Sequence, residues 1–353
     1  MSLADRSLRG PALSSGELET LLCDEVPLLE LLHQAFLVRE HYFGRRVQVH
    51  VLDNARNARC PEDCGYCSQS AISNTPLDPY EWKRRAELLE NARAAHDAGA
   101  FRYCIVASGR GPTRKQVAAL AETVRCIKRE LPIQVCVSVG LVDEEKAQLL
   151  KQAGVDRLNH NLNTTAALYP KICTTHTHAD RGATLDAARA VGLEQCSGLI
   201  MGMGESNADL VELALDLRER GVASIPLNFL IPIDGNPVRS DGTLTPERCL
   251  RALAMLRLAN PGTEVRAAGG REGHLGSLEA LSLWPANSLF VGGYLTTLGR
   301  DALATYRMIR DAGFEVELPD GKVASWAQLG VDEEFRVLGS DRILKPDVAA
   351  EIP

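Results

Sequence analysis

Three cysteines stand in a C-x3-C-x2-C spacing within Arg59-Cys60-Pro61-Glu62-Asp63-Cys64-Gly65-Tyr66-Cys67-Ser68-Gln69-Ser70. A four-iron, four-sulfur (4Fe–4S) cluster normally takes four cysteine ligands. Three thiolates on one loop therefore leave one iron open to a ligand that is not protein. A structural zinc site completed elsewhere, for instance by one of the eight histidines, uses the same residue types. Zinc knuckles favour paired C-x2-C ends, however, and none follows here. A disulfide reading is weaker still, because the chain carries no secretory signal and cytosolic thiols stay reduced.

A second constellation is spread along the chain. Cys104, Cys136, Cys196 and Arg266 each sit inside an otherwise apolar segment that reads as a strand. Free cysteine packs as a small hydrophobe, so the three thiols are individually unremarkable. The arginine is harder to dismiss, since a charged group in a buried strand needs a partner. Arg266 is either paired with a carboxylate or, with the three thiols, part of a second metal centre.

These residues need a scaffold, and the pattern from residue 82 onward supplies one. An amphipathic helical stretch, a glycine suited to a left-handed C-cap and a short apolar strand recur. Gly99 precedes Arg102–Ala107, Gly154 precedes Arg157–Asn159, Gly192 precedes Gln195–Ser197, and Gly221 precedes Ser224–Asn228. With Val47–Leu52, Ile133–Val139, Val265–Ala268 and Ser288–Val291 the strands number eight, which predicts an α/β fold of the (β/α)8 barrel type with chemistry at the C-terminal strand ends. Ser206 with Asp209 reads as a capping box, and Thr245-Pro246 as an N-cap with proline at the first helical position. Residues 15–40 read as two helices broken at Pro27, with Leu28, Leu29, Leu31, Leu32, Ala35 and Phe36 available for packing. The expected division is an N-terminal helical extension over 1–40, a barrel over 41–317 and a tail over 318–353, the last opening with a hairpin around Pro319-Asp320-Gly321.

Composition narrows the partners. The chain has 353 residues, 45% of them hydrophobic, and a net charge of −7, so a broad nucleic-acid footprint is not expected. The N-terminus lacks the apolar core of a signal peptide, and no apolar run reaches the roughly 18 residues of a membrane span. The expectation is a cytoplasmic protein acting on small molecules, with no membrane partner. Of the ten cysteines, Cys23, Cys126, Cys173 and Cys249 have no role in either constellation and read as small buried apolar residues.

With these positions in hand the chain resembles the biotin synthase family of radical S-adenosyl-L-methionine (SAM) enzymes from about residue 15 to 317. The likeness rests on Cys60–Ser70, Tyr103–Gly109, Asn159–Thr164, Cys196-Ser197-Gly198 and Val265–Glu272. It implies that Cys60, Cys64 and Cys67 hold a 4Fe–4S cluster whose open iron binds SAM. It also implies that Cys104, Cys136, Cys196 and Arg266 hold an auxiliary cluster, two-iron (2Fe–2S) in the best-known members, which gives up the sulfur inserted into dethiobiotin. No residue is implied as an acid or base, because a 5′-deoxyadenosyl radical abstracts the hydrogens at C9 and C6. The likeness further places Tyr66, Asn161, Asn163, Arg181, Gly202 and Glu205 at SAM, and Asn159 and Asn228 at the ureido ring of dethiobiotin, which an amide suits as both donor and acceptor. Many members have aspartate where this chain has Asn163, so an ionic contact to the SAM ribose becomes a neutral one. A flavodoxin- or ferredoxin-type electron donor, iron–sulfur assembly proteins and a homodimer are implied as partners. Two other readings compete: a radical SAM enzyme acting on another small molecule, like the hydrogenase-maturase or pyrrolysine-pathway relatives of this barrel, and an iron–sulfur sensor without turnover.

Overall fold

Each of the four glycines expected to end a helix has a positive φ, from 66° at Gly221 to 92° at Gly154, and each is followed within a few residues by a strand. The chain is thereby turned back on itself after each of these helices. A computed structural model describes residues 1–57, 59–293, 299 and 301–332; within the tail expected over 318–353, residues 333–353 lie outside the described residues. The strands are β1 Arg46–Arg56, β2 Arg102–Ala107, β3 Gln134–Ser138, β4 Arg157–Asn159, β5 Glu194–Cys196, β6 Leu199–Met201, β7 Ser224–Phe229, β8 Glu264–Ala267, β9 Ser288–Val291 and β10 Glu315–Glu317. The order β1-β2-β3-β4-β5-β7-β8-β9 is parallel throughout, and β9 pairs back onto β1, closing the barrel. β6 continues the course of β5 along β7 after a break at Ser197-Gly198, so β5 and β6 together fill one staves' place and the fold is the expected (β/α)8 barrel.

The helices are α1 Leu3–Arg9, α2 Ser15–Thr20, α3 Leu28–Phe43, α4 Arg85–Asp97, α5 Arg114–Glu130, α6 Glu144–Gln152, α7 His178–Ala190, α8 Asn207–Glu219, α9 Pro246–Ala259, α10 Arg271–Leu275 and α11 Ala302–Asp311. Both expected caps are present: Ser206 and Asp209 cap α8 reciprocally, and Thr245 accepts from the Arg248 amide ahead of Pro246. The N-terminal segment carries α1 in addition to the two helices read from the sequence, tied to α2 by the Arg6–Glu17 ion pair. Leu31, Leu32, Ala35 and Phe36 are buried against the large core shared with α9, whereas Leu29 is exposed. β10 adds to the barrel wall parallel to β1, and the expected turn follows, closed by an antiparallel Glu317–Val323 bridge.

The four unassigned cysteines divide. Cys249 is fully buried in α9, as expected of a small apolar residue. Cys23 and Cys126 are partly exposed instead, because each falls on the solvent side of its segment. Cys173 is buried, but among polar groups beside the Cys60–Cys67 loop. No helix among the described residues is long and apolar enough to cross a membrane.

Candidate functional site

β1 runs out at Arg56, and the loop that follows carries Cys60, Cys64 and Cys67 over the C-terminal mouth of the barrel. Backbone hydrogen bonds hold it from both sides: Gly65 N donates to Ile172 O at 2.8 Å, and Val238 N donates to Gly65 O at 3.0 Å. Gly65 must be small here, since a Cβ would meet Val238 at 2.9 Å and Pro237 at 3.7 Å. Burial pushes the Cys60, Cys64 and Cys67 thiols up, so they stay protonated until a metal displaces the proton.

The second constellation lies deeper in the same barrel. Cys104 on β2 and Cys136 on β3 are register partners, and the Cys136 thiol donates to the Cys104 sulfur, which lowers Cys104 and raises Cys136. Arg266 on β8 points its Nη1 at the Cys196 sulfur, 3.9 Å away. Its other nitrogens donate to Ser288 Oγ at 3.2 Å, to Ser224 Oγ at 3.1 Å and to the Glu264 carboxylate. Arg266 thus has the carboxylate partner expected of a buried charge, and it also faces one of the three cysteines.

Both sulfur sets line one cavity of about 410 Å³. Soft sulfur donors, all free thiols, facing a single cavity are the donor chemistry that iron–sulfur clusters use. The residues present therefore fit both groups.

Tyr66, Asn159, Asn161, Asn163, Arg181 and Asn228 line the same cavity. Asn163, with φ at 70°, is the one non-glycine residue with positive φ among the described residues, a conformation asparagine tolerates. Its amide donates to Tyr66 Oη at 2.5 Å. The Tyr66 carbonyl accepts from Asn236 at 3.0 Å. Arg181 donates to Asn161 O at 2.8 Å and to the Tyr169 hydroxyl, and lies 3.0 Å from His176 Nε2. Asn159 donates to Asn161 Oδ1 at 3.1 Å and Cys196 Sγ at 3.2 Å, while Asn228 accepts from Gly269 N at 3.0 Å and donates to Leu199 O at 3.2 Å. Gly202 and Glu205 do not line the cavity. Glu205 accepts from the amides of Gly202 and Met203, at 2.6 and 2.9 Å, and burial raises its pKa.

Sequence reading missed a polar wall beside the cysteine loop. Glu62 accepts from Thr175 Oγ1 at 2.8 Å, from Arg110 at 3.1 Å and from His176. Burial raises this carboxyl, but those hydrogen bonds outweigh it and hold the group below its ordinary range. Cys173 Sγ lies 3.7 Å from Cys64 Sγ, 3.2 Å from Asp63 Oδ1 and 3.3 Å from His176 Nδ1, so Cys64, Cys173 and His176 could together hold a metal ion. The one sequence signal for this wall was the run Cys173-Thr174-Thr175-His176, which has no periodicity and more than 100 residues between it and Glu62, Asp63 and Cys64. His160, buried and lining the cavity, has an Nε2 without a hydrogen-bond partner among the described residues.

Two family descriptions match the chain: the Radical SAM superfamily over residues 56–217, and the Biotin and Thiamin Synthesis associated domain over residues 226–315. The biotin synthase of Acaryochloris marina is 50% identical over 328 residues, spanning 93% of this chain and 94% of that relative. The biotin synthase of Bacillus subtilis is 44% identical over 326 residues, 92% and 97% of the two chains. Among solved structures, methylornithine synthase (PylB) superposes with a TM-score of 0.78 at 21% identity, covering 90% of this chain and 98% of that one. The FeFe-hydrogenase maturase HydG from Carboxydothermus hydrogenoformans gives 0.76 at 17% identity, covering 90% and 78%. At such identities the structures speak for the barrel alone.

Proposed function

The chain belongs to the biotin synthase family, and we propose how its own residues divide that family's reaction. The enzyme is a radical SAM sulfurtransferase that converts dethiobiotin to biotin. In this reading Cys60, Cys64 and Cys67 hold the 4Fe–4S cluster with SAM, and Cys104, Cys136, Cys196 and Arg266 hold the auxiliary cluster. Bound there, these groups supply the 5′-deoxyadenosyl radical that takes hydrogen from C9 and C6 of dethiobiotin and the sulfur that closes its ring.

The protein supplies placement and dryness. Arg181 is fixed by the Tyr169 hydroxyl and the Asn161 carbonyl, so its guanidinium is ordered before it meets the carboxylate of SAM. Asn161 and Asn163, the latter braced on Tyr66, stand for the remaining polar groups of SAM. Glu205 acts from behind, fixing the turn at Gly202 on which adenine would rest. Asn159 and Asn228 are each anchored to backbone, which sets the faces they turn to the ureido ring. A primary carbon radical attacks what it touches, so apolar walls such as Leu52, Val106 and Phe290 limit side reactions. A cytoplasmic homodimer served by a flavodoxin- or ferredoxin-type donor and by iron–sulfur assembly proteins belongs to the same proposal, on the family likeness.

The observation that carries the reading is the convergence of both sulfur sets and the asparagines on one cavity. Anaerobic reaction of cluster-loaded protein with SAM, a reductant and dethiobiotin, followed by mass spectrometry, tests it. Biotin together with 5′-deoxyadenosine is expected. Deoxyadenosine alone would move the search to another substrate, and neither product would overturn the enzyme assignment.

A further inference from the structure

The auxiliary ligands have a second layer beneath them. On four strands the residue two places before the ligand, hence on the same face, is polar or charged: Arg102 before Cys104, Gln134 before Cys136, Glu194 before Cys196 and Glu264 before Arg266. All four stand at the first position of their strands. They line, with Arg157, a second cavity of about 440 Å³ at the N-terminal face of the barrel, opposite the Cys60–Cys67 loop. Two residues of strand separate it from the auxiliary ligands, about 6.6 Å.

The cavity's own charges balance in number, Arg102 and Arg157 against Glu194 and Glu264, but both carboxylates are taken by guanidiniums other than Arg102. Arg157 is spent on Glu194 at 2.8 Å and Glu264 at 2.5 Å, and Arg266 is spent on Glu264. His50, which also faces Glu264, is kept neutral by burial. With Arg266 of the layer above counted in, three guanidiniums stand against two carboxylates, and Arg102 forms no ion pair among the described residues, its guanidinium lying 5.6 Å from the Phe101 ring centroid. Arg102 is 3% exposed, and its Nε and Nη1 find no hydrogen-bond partner among the described residues. A buried cation with idle donors beside a cavity is costly unless something anionic comes to it.

We propose that this cavity is an anion site that admits hydrosulfide through the barrel floor and holds it on Arg102, one layer below the auxiliary ligands. The proposal rests on the reading that the auxiliary cluster gives up its sulfur, because a site emptied from above by substrate then needs refilling from another side. Only binding is involved: the hydrosulfide charge is met by the guanidinium, and no bond or electron moves in the cavity.

The test uses full-length protein carrying its 4Fe–4S cluster, with the auxiliary site emptied by one turnover. Ferric iron and sodium sulfide are then added. Two ferric ions and two sulfides make an oxidised two-iron core without net electron transfer. The return of the auxiliary visible absorption is followed against sulfide concentration. The expected result is a saturable rate, with Arg102→Met needing about tenfold more sulfide for half-maximal rate, as loss of a charge-assisted contact implies. Arg102→Lys should recover most of that, and Ala223→Leu, which narrows the same cavity without touching charge, should slow refilling as well. Final cluster yield at high sulfide should be unchanged. Refilling of Arg102→Met and Ala223→Leu at the parent rate at every sulfide concentration would overturn the proposal. So would a lower yield in Arg102→Met that sulfide does not restore, with Ala223→Leu unaffected, since Arg102 would then only support the thiolates. If the parent never shows an auxiliary spectrum, the biotin synthase reading itself falls, and the site falls with it.

Discussion

Cys64 has two sulfur environments to choose between, the other loop cysteines and Cys173 at 3.7 Å. Cys173 is already engaged by Asp63 and His176, and three loop thiolates suffice for a cluster whose remaining iron is taken by SAM. Cys173→Ala should therefore keep the iron content and brown visible absorption of the 4Fe–4S cluster after anaerobic assembly, while Cys64→Ala loses both. An iron assay showing equal loss in the two variants would sink the ligand set of Cys60, Cys64 and Cys67. The loop was legible in the sequence because its spacing is local and chemically restrictive. Its neighbours Glu62, Cys173 and His176 were not, because their contacts are made by chain folding across more than 100 residues. Asn163 stands between these cases: its amide could be read as a contact, but its left-handed backbone, which asparagine permits, is visible only once β4 and β6 are in place.

Among the elements, the break between β5 and β6 does more than interrupt a strand. At Gly198 a Cβ would lie 1.9 Å from the Pro226 carbonyl oxygen on β7, so only glycine lets the two chains approach this closely. The Gly198 amide also donates to Asn161 Oδ1 at 3.1 Å, which ties the break to the candidate SAM wall. Gly198→Ala must push β7 away, and a loss of about 3 kcal/mol in urea unfolding is expected, the upper part of the range for overpacking. SAM affinity should weaken in the same variant. Unchanged unfolding would mean that the strands part without cost and that the close approach is incidental. Four of the eight strands were legible because each C-cap glycine acts on its own helix and the apolar run follows at once, and the other four were legible from their apolar runs alone. α1 was not, since its seven residues carry one buried apolar side chain and no helical stripe. The residues 314–324 were read as a hairpin, which holds for the Glu317–Val323 turn, but the parallel pairing of β10 with β1 joins ends of the chain that no local pattern relates.

For the molecule as a whole, closure of the barrel converges on one carboxylate. Glu264 on β8 accepts from Arg157 of β4, Arg266 of its own strand and Ser288 of β9, and lies 3.4 Å from His50 of β1. Burial alone would raise its pKa, yet Arg266 and Arg157 overcome this and keep it ionised. Four staves of the barrel thus share a charge that solvent screens little. Such a network gains little over an apolar core, but it fails badly when Glu264 is removed, because Arg266 is left buried without a carboxylate and Arg157 keeps only Glu194. Glu264→Gln keeps the volume and some hydrogen bonding while deleting the charge. It should cost about 3–5 kcal/mol in denaturant unfolding of the cluster-free protein. It should also disturb the auxiliary absorption, since Arg266 is held toward Cys196 partly by this carboxylate. The two readouts separate the roles. Lost stability with an unaltered auxiliary spectrum would leave Glu264 as a closure residue only, whereas a loss below about 1 kcal/mol would show that the strands close on their hydrogen bonds and that the charge cluster is not what holds them.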